Sequence, residues 1–234
     1  MTRILSVIGC VAAISACSDT VAGNGTSGGS SFTGVTGKVT SLDGTPLSGV
    51  TVIVGSDSTQ TAADGTYQLE VEPGAHGVSF LEDGYATTRR KVTIVNKGTS
   101  HLAVMMKAVG AKQTVDNTAG GTIEEPNGAK VVFPANALVD KDGKTHAGNA
   151  VVELTWFNPE TADLLATPVP MDSAEMNGQQ VVLESFGMVS VELEDESGNT
   201  LEVGDGQTAE VVFPVPAGLT DPPATLPLWH GITT

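Results

Sequence analysis

Cysteine and aromatic residues are scarce in this chain of 234 residues. The two cysteines, Cys10 and Cys17, lie near the N-terminus, so no thiol pair remains downstream for a disulfide. Aromatic residues make up 4% of the chain, whereas Gly and Pro number 28 and 12. These values indicate many short strands joined by tight turns, and a core that is stabilised by burial rather than by cross-links.

Basic residues are also scarce, with 11 Lys and Arg against 27 Asp and Glu and a net charge of −16. Beyond Lys144, the remaining 90 residues contain 14 Asp or Glu and no Lys or Arg. Nucleic-acid binding needs clustered cations to neutralise phosphates, so this composition argues against a nucleic-acid partner. A surface that carries only negative charge either keeps a domain soluble or attracts a cationic partner. We favour the first interpretation.

Common signatures of catalysis and metal binding are missing. The sequence contains no HExxH, CxxC or P-loop motif, and none of its four histidines has a second histidine at i+3 or i+4. Glu192 and Glu194 share one face of a predicted strand, but neighbouring carboxylates on an exposed strand are usually a solvated face. We therefore predict a protein that is not an enzyme and has no cofactor beyond a loosely bound divalent cation.

The N-terminus has the features of a secretory signal. Arg3 supplies a positive charge, and residues 4–14 form an apolar run that is shorter than the roughly 20 residues of a membrane span. Residues 14–17 read Ile-Ser-Ala-Cys, which resembles the lipobox of bacterial lipoproteins. The resemblance implies a signal peptide over residues 1–16 and a lipid on the thiol of Cys17; ordinary cleavage at residues 13–15 is the alternative.

This interpretation predicts a lipid-anchored protein of the bacterial cell envelope, attached to the membrane through Cys17. In the resembling lipoproteins, Asp directly after the cysteine favours inner-membrane retention, so Ser18 at that position favours the outer membrane. Residues 17–33 are rich in Gly, Ser, Thr and Asn. They predict a flexible tether with a reach of about 20–25 Å.

Residues 34–109 have the pattern of a β-sandwich. Apolar residues alternate with polar ones, and Asp-Gly and Pro-Gly pairs separate the runs. The ordered motifs resemble the carboxypeptidase regulatory-like domain, which implies a non-catalytic, transthyretin-like sandwich with a carbohydrate-binding-like fold. The motifs are Gly37-Lys38-Val39, Asp43-Gly44-Thr45-Pro46-Leu47-Ser48-Gly49-Val50-Thr51-Val52, Asp64-Gly65-Thr66-Tyr67-Gln68-Leu69, Pro73-Gly74 and Gly84-Tyr85.

The alternation also predicts where polar side chains of this domain point. Lys38 and Glu70 fall on the solvent face, which argues against an isopeptide bond from Lys38 to Asn96. The position of His76 in the alternation predicts a half-buried strand residue. The basic run of residues 89–91 predicts a solvated strand edge rather than an anion site.

Residues 110–234 predict a second β domain, with strands over residues 130–133, 150–157, 180–184, 188–194 and 209–213. Its motifs resemble a β domain of ankyrins, netrin receptors, tight-junction scaffolds and cartilage intermediate layer protein, which implies a protein-interaction module. The motifs are Gly120-Gly121-Thr122, Phe133-Pro134-Ala135-Asn136-Ala137-Leu138, Glu184-Ser185-Phe186-Gly187-Met188 and Pro214-Val215-Pro216.

Two groups of residues are candidates for ligand contacts. Asp140 and Asp142 form a fragment of a calcium-loop spacing, although a hairpin turn explains them better. Trp156, Phe157 and Trp229 are candidate stacking platforms for a carbohydrate. Because Trp156 and Phe157 are successive strand residues, they face opposite ways and one of them must belong to the core.

The C-terminal segment predicts a domain that stops short of its full set of strands. In the resembling bacterial proteins, the segment that corresponds to residues 225–229 leads on to further strands. The alternative is that Trp229 closes the last strand. Three functions remain open from the sequence: binding of a protein or surface polymer, carbohydrate binding, and service as an accessory domain of an envelope enzyme on another chain.

Overall fold

The structure, a computed structural model, describes residues 5–10, 32–171, 174–176, 179–181, 185–218 and 228–231. The predicted all-β class is confirmed, because regular structure in these ranges consists of strands and one short 3-10 helix over Ala162–Ala166. Among these residues, no helix has the length and apolar character needed to cross a membrane.

The strands are numbered in chain order. They are β1 (Leu5–Cys10), β2 (Gly34–Ser41), β3 (Thr51–Val54), β4 (Asp57–Gln60), β5 (Thr66–Glu70), β6 (Gly74–Leu81), β7 (Thr88–Ile94), β8 (Thr99–His101), β9 (Val104–Met106), β10 (Ala111–Asp116), β11 (Gly121–Glu124), β12 (Lys130–Phe133), β13 (Leu138–Val139), β14 (Asn149–Phe157), β15 (Ala174–Met176), β16 (Gln179–Val181), β17 (Ser185–Asp195), β18 (Glu202–Val203), β19 (Glu210–Val212) and β20 (Leu228–Gly231).

The chain divides into two compact units. In the part that the structure describes, the first unit holds residues 32–107 together with 165–171, 174–176 and 179–181. The second unit holds residues 5–10, 108–164, 185–218 and 228–231. The division after Lys107 lies two residues from the predicted boundary, but the segment that begins at Leu165 was predicted in the second domain and packs in the first unit.

The first unit is a sandwich of two sheets. One sheet has the order β5–β2–β8, with β9 also pairing with β2, and the other has the order β4–β3–β6–β7. The predicted alternation is confirmed, since Val50, Val52 and Val54 are buried with Tyr67 and Leu69 while Lys38 and Glu70 are exposed. His76 is half-buried, as predicted.

Tyr67 anchors the core of the first unit. Its ring packs edge-to-face on Phe80 at a centroid distance of 5.7 Å, and its hydroxyl donates to the backbone oxygen of Leu102 at 2.8 Å. A Cβ atom at Gly37 would lie 1.9 Å from that same oxygen. Glycine at position 37 therefore allows Leu102, which lies between β8 and β9, to approach closely.

The second unit is also built from facing sheets. A five-stranded sheet has the order β10–β14–β17–β1–β20, and β11–β12–β19 form a three-stranded sheet. The core between them takes alternate residues of the long strands β14 and β17, such as Val152, Leu154, Val189 and Val191. Ile123 and other apolar residues of the smaller sheet pack against them.

Strand β1 comes from the predicted signal peptide. It pairs antiparallel with β17, Leu5 opposite Val191, and antiparallel with β20, Val7 opposite His230. Removal of residues 1–16 stays a prediction, and it would take this strand out of the sheet. The lipid site at Cys17, the predicted tether up to residue 31, residues 219–227 and the side chain of Trp229 lie outside the described part of the chain.

Four turns in the described part of the chain share one backbone design. Each turn spans seven residues between the partners of an antiparallel bridge, and the fifth residue is a glycine with positive φ. The N–H of the second residue donates to the carbonyl of the sixth, and the glycine N–H donates to the carbonyl of the second. These turns are residues 40–46, 124–130, 139–145 and 194–200, with Gly44, Gly128, Gly143 and Gly198 at φ 84°, 93°, 78° and 80°.

Candidate functional site

The turn at residues 139–145 holds both predicted metal candidates. Asp140 Oδ1 accepts the backbone N–H groups of Asp142 and Lys144 at 2.9 and 3.0 Å. The carboxylate of Asp142 pairs instead with Lys141, whose Nζ lies 2.7 Å from Oδ2. Both carboxylates therefore act within a hairpin turn, and the described residues contain no group of three His, Cys, Asp or Glu side chains placed to hold a metal ion.

A second acidic turn, residues 194–200, lies beside the first. Asp195 Oδ1 accepts the backbone N–H groups of Ser197 and Asn199, both at 2.8 Å. Asn149 connects the two turns, because its side-chain amide donates to Glu196 at 3.0 Å and its carbonyl lies 2.9 Å from Nε2 of His146. We call the group formed by Asp140, Asp142, Asp195 and Glu196 the acidic turn surface.

Hydrogen bonds within the turns lower the pKa of two of these carboxylates, Asp140 and Asp195. Hydrogen bonds from the side-chain amide and the backbone N–H of Asn199 lower the pKa of Asp195. The backbone N–H of Lys144 chiefly lowers the pKa of Asp140, and the hydrogen bond to Asp142 raises the pKa of Lys141. Asp140 and Asp195 therefore carry fixed charge and are poor proton acceptors near neutral pH.

The predicted aromatic platforms belong to the interior. Trp156 is 4% exposed and Phe157 is 1% exposed, so neither offers a free ring face for stacking. The Trp156 ring packs edge-to-face with Phe213 at 5.8 Å and lies against Gly187, where a Cβ would approach it to 1.8 Å. The prediction of Trp156 and Phe157 as stacking candidates is wrong, because this end of β14 is covered on both faces.

Glu192 and Glu194 lie on the outer face of the five-stranded sheet. Glu192 stands opposite Glu153 of β14, and Glu194 stands opposite Val151. Lys112 of β10 continues the row, with its Nζ 2.7 Å from Oε1 of Glu153. This arrangement is a charged row across three strands, which agrees with the predicted solvated face and does not resemble two carboxylates across a cleft.

Glu125 is a buried carboxylate that the sequence did not reveal. Its Oε1 accepts the backbone N–H of Trp156 at 2.6 Å, and its Oε2 accepts the side-chain amide of Asn127 at 2.6 Å. Strand β10 begins at Ala111, opposite Leu154, so Glu125 supplies the acceptor where that ladder has ended. The local pattern around residues 124–128 is that of a polar turn, and it contains no signal that this acid points inward.

Asn117 is a second buried polar residue, with 1% of its surface exposed. Its amide donates to the carbonyls of Leu138 and His146 at 3.0 and 2.7 Å, while its Oδ1 accepts the N–H of Leu138 at 2.9 Å. One side chain thereby fixes both ends of the 139–145 turn. An Asx turn was predictable at the sequence Asp-Asn-Thr, but these distant partners were not.

The basic run on β7 binds a segment of its own chain. The guanidinium of Arg90 donates through Nη1 to the carbonyl of Thr167 at 2.8 Å, and the backbone N–H of Arg89 donates to the carbonyl of Pro168 at 2.8 Å. Both arginines are half-buried, and Lys91 is exposed. The run was predicted as a solvated edge, and this holds for Lys91 but not for Arg89 and Arg90.

Comparison with known proteins assigns one of the two modules. Residues 34–107 match the carboxypeptidase regulatory-like domain. The resemblance predicted for the first module is thus confirmed. No curated protein matches the chain, and the resemblance of the second module to ankyrin-type β domains stays a prediction.

Three solved structures show weak similarity. A cohesin–X–dockerin complex from Acetivibrio cellulolyticus aligns with 34% of this chain at 18% identity and a TM-score of 0.29. The Bacillus anthracis TIE protein aligns with 86% of this chain at 14% identity and a TM-score of 0.30. A candidate carbohydrate-binding protein from Bacteroides uniformis aligns with 76% of this chain at 8% identity and a TM-score of 0.26. The chain spans 59%, 31% and 97% of these three structures, in that order. None of them assigns a ligand to this chain.

Proposed function

We propose that this protein is a non-catalytic, lipid-anchored protein of the bacterial cell envelope whose β modules bind another protein or a surface polymer. The match of residues 34–107 to the carboxypeptidase regulatory-like domain carries the proposal. The resemblance implies a β-sandwich without catalytic residues, and such sandwiches act as platforms whose turns and edges contact partners.

The charge of the second unit defines the chemistry of its partner. Fixed carboxylates on the acidic turn surface attract cationic groups and speed their encounter. The lowered pKa values of Asp140 and Asp195 keep that charge in place down to mildly acidic pH. A partner with a Lys- or Arg-rich surface therefore fits this end of the module best.

The test is capture of partners from a detergent extract of the envelope on an immobilised soluble chain, residues 18–234. We expect a partner whose retention falls as salt rises, because exposed charges are screened beyond about 10 Å at 0.1 M salt. The variant Asp140→Asn, Asp142→Asn, Asp195→Asn, Glu196→Gln keeps the oxygen acceptors of the turns and removes their charge, so it should lose that partner.

A matched control neutralises turn aspartates of the first unit. Asp43 and Asp64 are exposed, and each accepts the backbone N–H of the residue two positions further on. Asp43→Asn with Asp64→Asn should leave capture unchanged. Equal loss in both variants, or retention that does not respond to salt, would contradict a role for the acidic turn surface.

The lipid anchor is tested by mass spectrometry of the N-terminal peptide. We expect a mature chain that begins at Cys17 and carries acyl chains, and Cys17→Ser should abolish the modification. Cys10→Ser is the control, since it removes the other thiol and should leave lipidation intact. An unmodified Cys17, or a mature protein that retains residues 5–10, would overturn this part of the proposal and would leave β1 as a permanent strand.

A carbohydrate ligand is the alternative function. Burial of Trp156 and Phe157 removes two of the three aromatic candidates for sugar stacking. Probing a glycan array with the soluble chain tests carbohydrate binding. Specific binding to a glycan that survives the four charge substitutions would favour this alternative. An accessory role for an enzyme on another chain would appear as a captured enzyme whose activity the soluble chain changes.

A further inference from the structure

Strand β1 occupies an inner position of the five-stranded sheet, between β17 and β20. It forms an antiparallel ladder with each of them, and in the described part of the chain β20 pairs with no other strand. If residues 1–16 are removed as predicted, the edge of β17 that faces β1 loses its ladder. A bare edge presents N–H and C=O groups that another strand can pair with.

The sequence that β1 presents to β17 resembles the sequence of β17 itself. Residues 5–7 read Leu-Ser-Val, and they stand opposite residues 191–189, which read Val-Ser-Val. In both strands a serine lies between two aliphatic residues, and Val189 and Val191 belong to the core. A second copy of β17 that runs antiparallel to the first would therefore offer the same pattern at the same three positions.

Ser190 marks the centre of this pairing. It is the middle residue of β17, with five residues on each side. It is 1% exposed, and its Oγ has no hydrogen-bond partner among the residues that the structure describes. In an antiparallel pair of β17 strands related by a twofold axis at Ser190, the two hydroxyls lie side by side. Each can donate and accept, so the pair can satisfy both groups.

The charge of β17 is compatible with this register. Residues 192–195 carry three carboxylates, whereas residues 185–191 carry none. With the axis at Ser190, Glu192 of one copy stands opposite Met188 of the other. The two Glu192 residues are then four positions apart, which is about 13 Å along the strands and beyond the screening length at physiological salt. A parallel pair in register would instead place each carboxylate beside its own copy.

We infer that the mature chain forms a twofold dimer, in which the β17 edge vacated by β1 pairs antiparallel with β17 of a second copy. The dimer joins two five-stranded sheets edge to edge through one isologous contact. In the precursor, β1 covers this edge and prevents the pairing. The inference rests on the removal of residues 1–16 in the proposed function and adds self-association to it. Anchoring both copies in one membrane would raise their effective concentration.

The test compares two chains by sedimentation. One contains residues 17–234 with Cys17→Ser, and the other contains residues 1–234 with Cys10→Ser and Cys17→Ser. We expect the mass of two chains for the shorter protein and of one chain for the longer. Neither protein contains a thiol, because the sequence has no other cysteine.

A single added thiol tests the register. Ser190→Cys in the shorter chain should give a disulfide-linked dimer on mild oxidation, because the two thiols meet at the axis. The control Glu194→Cys should not cross-link, because the two thiols would lie about 27 Å apart along the strands. Ser190→Cys in the longer chain should also remain uncross-linked, since β1 covers the edge.

A shorter chain that stays monomeric at every concentration, or cross-linking that is equal at positions 190 and 194 or in both chain lengths, would overturn the inference. Hydrogen exchange in β14 of the shorter chain checks its fold. Unprotected amides there would also overturn the inference, since β1 would then be a required strand. The shorter chain lacks residues 1–16 from the start, so its result does not depend on processing. The N-terminal mass and the envelope capture test the proposed function separately.

Discussion

Two buried polar side chains, Asn117 and Glu125, replace strand partners in the second unit. Each one satisfies backbone groups at a place where a β ladder has ended or a turn begins. A buried N–H without an acceptor costs about 1–3 kcal/mol, so these side chains stabilise the fold beyond their size. Their role explains why a loop acid and a loop amide are as buried as core valines.

Glu125→Ala should destabilise the second unit by about 1–3 kcal/mol, because the N–H of Trp156 loses its acceptor. Urea unfolding followed by tryptophan fluorescence measures the change. The neighbouring Glu124 is exposed, so Glu124→Ala should stay within about 0.5 kcal/mol of the parent. Equal losses at both positions would contradict the assigned role of Glu125.

The turn aspartates make stability depend on pH. Hydrogen bonds within the fold lower the pKa of Asp195 from its ordinary 3.8, so its contribution is present above that pH and disappears as pH falls through the folded value. Asp195→Asn should therefore reduce stability at pH 7, and the difference from the parent should shrink as the pH falls below 3.8 and through the lowered pKa of the folded state. Unfolding curves at several pH values test this, and a constant difference would contradict it.

At the scale of elements, the alternating pattern located the long strands well. The predicted strand at residues 130–133 is β12, and the one at 150–157 is β14 with one residue added. Strands β10, β11, β13 and β18 were not predicted, because they are short or mostly polar and depend on pairing with distant strands. Sequence periodicity detects a strand that has one buried, apolar face. It misses a strand that forms only because it pairs with strands distant in sequence.

The candidate site was predictable only where its interactions are local. Asp140 and Asp142 lie in the turn that their spacing favoured, since the hydrogen bonds there join residues two to four apart. The burial of Phe157 and the hydrogen bond from Arg90 to the carbonyl of Thr167, 77 residues away, depend on tertiary packing. No local pattern carries that information.

Gly187 illustrates a tertiary constraint on a strand. It has φ 136°, and a Cβ there would overlap the ring of Trp156. Gly187→Ala should cost roughly 1–3 kcal/mol more than Gly198→Ala, which has positive φ but open space around it. Thermal unfolding and the emission maximum of Trp156, in a Trp229→Phe background, measure both effects. Equal costs would show that backbone strain alone matters at position 187.

At the scale of the whole molecule, the uneven charge predicts an uneven response to cations. Residues 145–164 and 185–218 of the second unit carry ten carboxylates and no Lys or Arg. Divalent cations that collect near this charge should stabilise the second unit more than the first through mass action. Hydrogen exchange in β14 and β6, with calcium and with chelator, compares the units in one molecule. If calcium slows hydrogen exchange equally in both strands, the uneven charge serves only solubility.

The seven-residue turns have a consequence for how this protein can vary. Residues 40–46, 139–145 and 194–200, the exposed examples, share the antiparallel bridge, the hydrogen bonds and the glycine position, although their flanking residues differ. A sequence transplanted from one of these turns to another should therefore keep its own closing hydrogen bonds. Natural drift, or an engineer who inserts a new epitope, can therefore rewrite the charge of the 194–200 turn while the sheets stay as they are.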